Sequence, residues 1–123
     1  MKKLLLLFLI LTFSCCAQEK KCMDFKTGTF KYADQLYSDL KVIRTDSTQT
    51  EINTKSGLEM HGSIKWINSC NYVLTINKVL NADLENIIGK TIEVEIIETK
   101  SDSYKLKSKS DAGNLELEMI KIN

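Results

Sequence analysis

The strongest constraint on this chain is a strict alternation of apolar and polar residues that recurs three times in its last third. The alternating runs cover residues 91–96, 104–107 and 115–119. Because successive side chains of a strand point to opposite faces, each run predicts a β-strand with one apolar face and one wet face. Three such faces need a common core, so the chain is predicted to pack strands against strands.

Further strand signals precede these runs. The β-branched residues at 41–45 and 49–53 flank Asp46-Ser47-Thr48 and predict a hairpin. Phe30 and Tyr32 alternate with Lys31 and predict another strand, with Gly28 on the same face. The other signals are strands over 60–67 and 72–77 and turns at 55–57, 68–69 and 111–114.

Two local features interrupt the strands. Residues 81–89 begin with an N-cap residue, carry acids in the first turn and end in glycine, so they predict one short helix with Leu84, Ile87 and Ile88 on one face. A phase slip at Met119-Ile120 predicts a β-bulge. The fold class is therefore all-β, with about eight short antiparallel strands closed as a small barrel or folded as a sandwich. We expect its interior to be largely filled.

The N-terminus carries an export signal. Lys2 and Lys3 precede an apolar run of about ten residues, which is too short to span a membrane and is typical of a signal peptide. Ser14-Cys15 follows directly and resembles a bacterial lipobox, so we predict a signal peptide over 1–14, lipidation of Cys15 and a tether over 15–21. The alternative is cleavage after Ala17, which would release a soluble periplasmic or secreted protein. Residues 22–123 form the single predicted β-domain.

Export changes how the four cysteines are interpreted. Outside the cytoplasm thiols oxidise, and with Cys15 assigned to lipid and Cys16 to the tether, Cys22 and Cys70 remain as a candidate disulfide. Closing a loop of about 49 residues would stabilise the domain by roughly 4 kcal/mol. The alternative is a metal or redox site, but no cysteine pair has the spacing of a zinc knuckle. We predict no metal and no cofactor.

Charge excludes one class of partner. The chain has 17 basic and 16 acidic residues, and without Lys2 and Lys3 the balance is 15 to 16, a net charge of −1. A nucleic-acid-binding domain needs an excess of basic residues, so no nucleic-acid partner is expected.

Few residues are candidates for a site. Phe30, Trp66 and Tyr72 could line a ligand pocket or form the core. His61 could act as a general base but has no nucleophile arranged near it in sequence, which favours a surface or strand-edge histidine. Arg44 and Glu51 are predicted to face each other across the hairpin as a cross-strand pair.

Three motifs carry a resemblance to a known family. They are Cys22-Met23-Asp24-Phe25-Lys26-Thr27-Gly28-Thr29-Phe30, the hairpin Arg44-Thr45-Asp46-Ser47-Thr48-Gln49-Thr50-Glu51, and Trp66-Ile67-Asn68-Ser69-Cys70-Asn71-Tyr72. Together they resemble a family of small exported proteins of Gram-negative bacteria of unknown function. The resemblance implies a lipocalin-like β fold with Cys22 and Cys70 paired. Some similar proteins carry the label "DNA topoisomerase IV", but this chain has neither the size nor the basic DNA channel for that activity.

These observations lead us to expect a non-enzymatic lipoprotein domain of the cell envelope, in the outer membrane or periplasm. It would contact the membrane through its N-terminal lipid and bind a small apolar ligand or an envelope protein. The alternative is a structural or assembly module of an envelope complex. A small hydrolase would need His61 in a cleft with a carboxylate or hydroxyl in hydrogen-bond reach.

Overall fold

A computed structural model of the protein describes residues 20–123, which fold as eight antiparallel strands and three short 3₁₀ turns. The signal peptide, Cys15 and cleavage after Ala17 lie outside the described residues. The 3₁₀ turns are η1 (Cys22–Phe25), η2 (Gln35–Tyr37) and η3 (Glu85–Ile87). The strands are β1 (Gly28–Tyr32), β2 (Leu40–Arg44), β3 (Thr48–Asn53), β4 (Glu59–Asn68), β5 (Asn71–Leu80), β6 (Thr91–Thr99), β7 (Ser103–Ser110) and β8 (Gly113–Lys121).

The strands form one closed barrel in the order of the sequence. This confirms the all-β prediction and decides for a barrel, of a small lipocalin-like kind, over a sandwich. Each strand pairs with its neighbours in the chain, and β1 closes the barrel against β8. That closing seam is short: its paired residues are Phe30–Lys121, Lys31–Ile120 and Tyr32–Met119, and backbone hydrogen bonds extend it to Thr29 with Ile122 and Asn123 at one end and to Ala33 with Glu118 at the other.

The alternating side chains build the interior as predicted. Apolar residues of every strand but β3 point inward, and those with no or almost no exposure include Phe30, Val42, Ile96 and Tyr104. The charged residues of β6, β7 and β8 point outward and face each other across strands, for example Glu95 opposite Lys107. Burying the inner faces accounts for most of the stability, since each fully buried large apolar side chain contributes about 1.5–3 kcal/mol.

The irregularities of the sheet lie elsewhere than predicted. The β7–β8 register is continuous through Met119 and Ile120, so the predicted bulge there is wrong. Ile120 is an apolar residue on the outer face of a regular strand. Register shifts occur instead on β4 at His61/Gly62 and on β6 between Ile96 and Glu98. Gly62 is needed at the first of these, because a Cβ there would lie 2.6 Å from Leu74 Cδ1.

The short helix predicted over 81–89 is only the three-residue turn η3. Asn81 does not cap it. Its backbone has a left-handed φ of 62° and its side-chain amide donates a hydrogen bond to the carbonyl of Gly57, 2.8 Å away. Asn81, which the sequence marks as the helix N-cap, therefore makes a contact between two loops instead. The segment that remains is too short for a stable helix on its own.

The two ends of the barrel differ. In a meander alternate connections lie at the same end, so η1 shares one end with the β2–β3, β4–β5 and β6–β7 turns. Here Phe25 is buried, and the disulfide between Cys22 and Cys70 ties η1 to the β4–β5 turn, which confirms that pairing. We call this the closed end. The open end carries the β1–β2, β3–β4, β5–β6 and β7–β8 connections.

Candidate functional site

A row of polar side chains lines the inside of the barrel on β2 and β3. Register pairs Arg44 with Gln49 and Val42 with Glu51, so all four residues share the inner face. In β3 the usual pattern is inverted, because Thr50 and Ile52 point outward while Gln49 and Glu51 point inward. The predicted Arg44–Glu51 pair is therefore wrong: the two residues are not opposite each other, and each has other partners.

Arg44 is a buried cation held by four hydrogen bonds. Its side chain is 2% exposed. Its guanidinium donates to the carbonyl of Phe25 at 2.9 Å, to Gln49 Oε1 at 3.0 Å, and to the hydroxyls of Tyr104 at 2.8 Å and Tyr72 at 3.2 Å. One side chain thus joins η1 to β2, β3, β5 and β7. The fork of guanidinium donors suits this role because it can reach several acceptors in fixed directions.

The charge of Arg44 is balanced by dipoles and aromatic faces. Among the described residues no carboxylate lies within salt-bridge distance of it. Instead its guanidinium carbon lies 4.6 Å from the ring centre of Phe30, 5.2 Å from that of Tyr72 and 5.7 Å from that of Tyr104. Burial alone would lower the pKa of Arg44, but the two tyrosine hydroxyls outweigh it and leave the pKa raised. Arg44 therefore stays charged, with four of its five N–H groups used.

A second polar contact of the interior joins Tyr32 and Glu51. The hydroxyl of Tyr32 donates to Glu51 Oε1 at 2.8 Å. Burial raises the pKa of Glu51, although the hydrogen bond from Tyr32 lowers it in part. The pKa of Tyr32 is raised as well, first by burial and then by the carboxylate beside it. Both groups therefore favour their neutral forms.

Glu51 borders a small cavity of about 30 Å³. Its walls include Gln49 and the apolar side chains of Met60, Leu74, Ile76 and Ile92. A space of this size holds one or two water molecules, whereas small-molecule sites usually measure about 300–1,000 Å³. The described residues therefore fill most of the barrel interior, as the sequence leads us to expect.

The three aromatic candidates lie on the inner face near the closed end. Phe30 and Tyr72 are buried, and Trp66 is half-buried and packs on the core with its ring centre 4.7 Å from that of Tyr72. The indole Nε1 of Trp66 is buried without a hydrogen-bond partner. The cavity beside Glu51 touches none of the three, so their positions are those of core residues.

His61 lies on the outer face of β4. Its ring contacts Thr50 Oγ1 at 3.2 Å through Nδ1 and Glu59 Oε2 at 2.9 Å through Nε2. A hydroxyl, an imidazole and a carboxylate are therefore connected, as a hydrolase would need. They stand on an open sheet face, where Thr50 and His61 are cross-strand neighbours and the backbone amides serve the ladders. This geometry is that of a surface contact.

A wide groove of about 910 Å³ runs along the outer face of β5 to β8. Most of its charged side chains stand opposite a partner of opposite sign, as Glu93 does with Lys109 and Glu95 with Lys107. The groove is open to solvent, so it is a solvated sheet face on which opposite charges stand on neighbouring strands. Its wall on β8 is made by Asn114, Leu115 and Glu116.

Exposed apolar side chains occur at both ends of the barrel. Met23 in η1, Ile67 at the end of β4 and Ile122 after β8 lie at the closed end and are 61%, 60% and 51% exposed. At the open end they lie on the loops and on the start of β8. Leu36 is 78% exposed, Leu115 54%, Ile88 47% and Leu84 37%. The connections around them carry five acids and two lysines, namely Asp34, Asp39, Asp83, Glu85 and Asp111 against Lys55 and Lys90. The open end is thus an apolar and acidic surface.

The fold and interior define the protein as a filled, disulfide-linked antiparallel β-barrel. No family model, curated protein or solved structure matches the chain, so the resemblance carried by the three sequence motifs stays a prediction. Within residues 20–123 no helix is long and apolar enough to cross a membrane. In the same range no group of three or more His, Cys, Asp or Glu side chains is placed to hold a metal ion.

Sequence reasoning missed the buried polar network. The sequence predicts only a cross-strand pair for Arg44, and it places Tyr104, which forms the shortest of the four hydrogen bonds to Arg44, simply in an alternating strand. The sequence signal that points to the network is the alternation in β3. Gln49 and Glu51 alternate there with β-branched residues, and either set could face the interior. Only the register with β2 decides which set is buried.

Proposed function

We propose that this protein is an exported, lipid-anchored, non-enzymatic domain whose open end binds a protein partner in the cell envelope. The observation that carries the proposal is the opposition of the two ends. The described chain enters at the closed end, where the amide of Lys21 donates to Thr99 Oγ1 at 2.9 Å. The open end lies opposite this entry, and there Leu36 and Ile88 are exposed on loops that carry an excess of acidic side chains.

The anchor would fix the orientation of the barrel. Lys21 lies six positions after Cys15, and even a fully extended tether of this length spans only about 20 Å. A lipid on Cys15 would therefore hold the closed end close to the membrane. The ten residues of β5 rise about 33 Å, so the open end would face away from the lipid, where other envelope proteins can reach it.

The interior supports a protein partner better than a small ligand. A cavity of about 30 Å³ cannot enclose an apolar ligand unless side chains such as Met60 move. The open end needs no rearrangement, since Leu36 and Ile88 are already exposed. A protein surface would remove these side chains from water at about 25 cal/mol per Å² of apolar area.

Site-specific photocrosslinking in the native envelope tests the proposal. A photoreactive amino acid replaces Leu36 or Ile88 at the open end, with the exposed Lys65 on the outer face of β4 as the matched control position. We expect one protein to crosslink at both open-end positions and not at Lys65. Equal labelling at all three positions, or none at the open end, would contradict an open-end partner.

The mass of the N-terminal peptide from the same membranes tests the anchor separately. Acyl chains on Cys15 are expected, and a peptide that begins at Gln18 would overturn the anchor. A partner that assembles into a fixed complex with this chain, and dissociates only on denaturation, would favour the alternative of a structural module.

A further inference from the structure

The barrel wall has an unpaired strand edge at the open end. Strand β8 is paired with β7 from Gly113 to Ile120, but β1 reaches only Met119, Ile120 and Lys121 on the other side. The last contact is the amide of Ala33, which donates to the carbonyl of Glu118 at 2.9 Å before the chain turns away into η2. From Gly113 to Leu117 no strand within residues 20–123 lies on the side of β8 that faces away from β7.

The register identifies which backbone groups this edge presents. The carbonyl of Glu118 points toward β1, and in a strand the N–H and C=O of every second residue point to the same side. The backbone groups of Asn114 and Glu116 therefore point to the vacant side, whereas those of Leu115 and Leu117 serve the ladder with β7. Residues 113–116 are all exposed, and none of their vacant-side groups bonds to another described residue.

The side chains along the edge define what would fit. Leu115 and Leu117 point to the inner face, and Leu115 is 54% exposed because no strand covers it. Glu116 points outward and is exposed, with Lys107 opposite it on β7. Glu118 lies next on the same face and already contacts Lys100 Nζ at 3.3 Å, so Glu116 is the carboxylate that an added strand would meet. An added strand would place one set of side chains on the leucines and the alternate set beside the carboxylate of Glu116.

We propose that this edge of β8 binds an extended peptide segment of the partner, one with alternating apolar and basic residues, as an added β-strand. Main-chain hydrogen bonds would give the affinity, and the leucines and Glu116 would give the specificity. The inference deepens the proposed function, on which it rests for the existence of a partner. A second copy of this chain does not fit, because pairing two β8 edges would bring the Glu116 and Glu118 carboxylates of both copies together.

Amide hydrogen exchange on the purified barrel tests the site with a defined probe. The probe is the blocked hexapeptide Lys-Val-Lys-Leu-Lys-Val, and its matched control is Glu-Val-Glu-Leu-Glu-Val. In the free protein we expect the amides of Asn114 and Glu116 to exchange fast and those of Leu115 and Leu117 to be protected. The basic peptide should slow exchange at Asn114 and Glu116 only, and the acidic peptide should have no effect.

Two variants separate strand addition from simple charge attraction. Glu116→Pro removes the vacant-side N–H without touching the β7 ladder and should weaken peptide binding by roughly tenfold, the equivalent of one hydrogen bond. Glu116→Gln keeps the N–H and should weaken it less. Equal weakening by the two variants, or uniform protection across residues 113–118, would overturn strand addition.

The two proposals fail in different ways. Crosslinks at Leu36 and Ile88 together with unchanged exchange at Asn114 and Glu116 would refute strand addition and leave the open-end partner standing. Peptide binding at β8 without any open-end crosslink in the envelope would refute the proposed function. The remaining conclusion would be that the β8 edge can bind an extended peptide.

Discussion

Replacement of Arg44 by methionine removes the cation on which the closed end is built. Methionine is similar in length and apolar, so it fills most of the space without supplying a donor. The carbonyl of Phe25 and Oε1 of Gln49 then lose their donor. The hydroxyl oxygens of Tyr72 and Tyr104 lose one as well, although the Tyr104 hydroxyl still donates to Met119 Sδ at 3.2 Å.

The expected loss can be worked out from these partners. Two buried acceptors without a donor cost about 1–3 kcal/mol each. Moving the guanidinium back into water returns part of this, since burying the charge cost several kcal/mol in the native state. The lost packing of the guanidinium on the Phe30 ring adds about 1–2 kcal/mol. Because all partners of Arg44 are neutral, no charge is left uncompensated, and we expect Arg44→Met to lower the free energy of unfolding by about 2–4 kcal/mol.

Urea unfolding followed by tryptophan fluorescence measures this loss, because Trp66 packs on Tyr72. Lys41→Met is the matched control, since Lys41 is an exposed residue of the same strand and should change stability by less than about 0.5 kcal/mol. Arg44→Lys keeps the charge but lacks the planar fork, so it should fall between the wild type and Arg44→Met. A loss below about 1 kcal/mol for Arg44→Met would refute the role given to the hydrogen bonds.

Three further changes test other parts of the barrel. Folding raises the pKa of Glu51, so the contribution of Glu51 to stability is fully present below its unfolded pKa and is lost as pH rises through its folded pKa. Glu51→Gln should therefore flatten the decline of the melting temperature between about pH 4 and 8. An unchanged slope in these thermal melts would contradict the prediction. Replacing both Cys22 and Cys70 by serine should cost about 4 kcal/mol in urea unfolding, and a reductant should reproduce that loss in the wild type but not in the variant. Gly62→Ala should cost about 1–3 kcal/mol, because the added Cβ overlaps Leu74, whereas Lys65→Ala on the same strand should not.

The sequence was sufficient to predict the strands and the disulfide, and physical reasons explain where it was not. Alternation in β6, β7 and β8 is unambiguous, since charged side chains mark the wet face. In β3 both faces carry residues that tolerate either environment, so burial of Gln49 and Glu51 depends on pairing with β2. The hydrogen bonds of Arg44 join four strands and η1 across the barrel, and no local pattern encodes such a contact.

The helix prediction failed for a different reason. Asn81 predicts a helix start when only its sequence neighbours are considered. Its side chain, however, bonds across the open end to the loop that contains Gly57. The bulge predicted at Met119-Ile120 rested on a slip in the apolar–polar alternation, whereas the real irregularities follow steric needs such as the contact between Gly62 and Leu74. Steric needs of this kind arise only once the strands are paired.

The short seam between β1 and β8 has a consequence for how the chain assembles. All other strand pairs join neighbours in sequence, so they can form as hairpins within microseconds. The seam joins residues 29–33 to residues 118–123, and the entropy of closing that long loop must be overcome before its few contacts form. We therefore expect closure of the seam to be the last and rate-limiting step of folding, and opening of the seam to be the easiest departure from the native state.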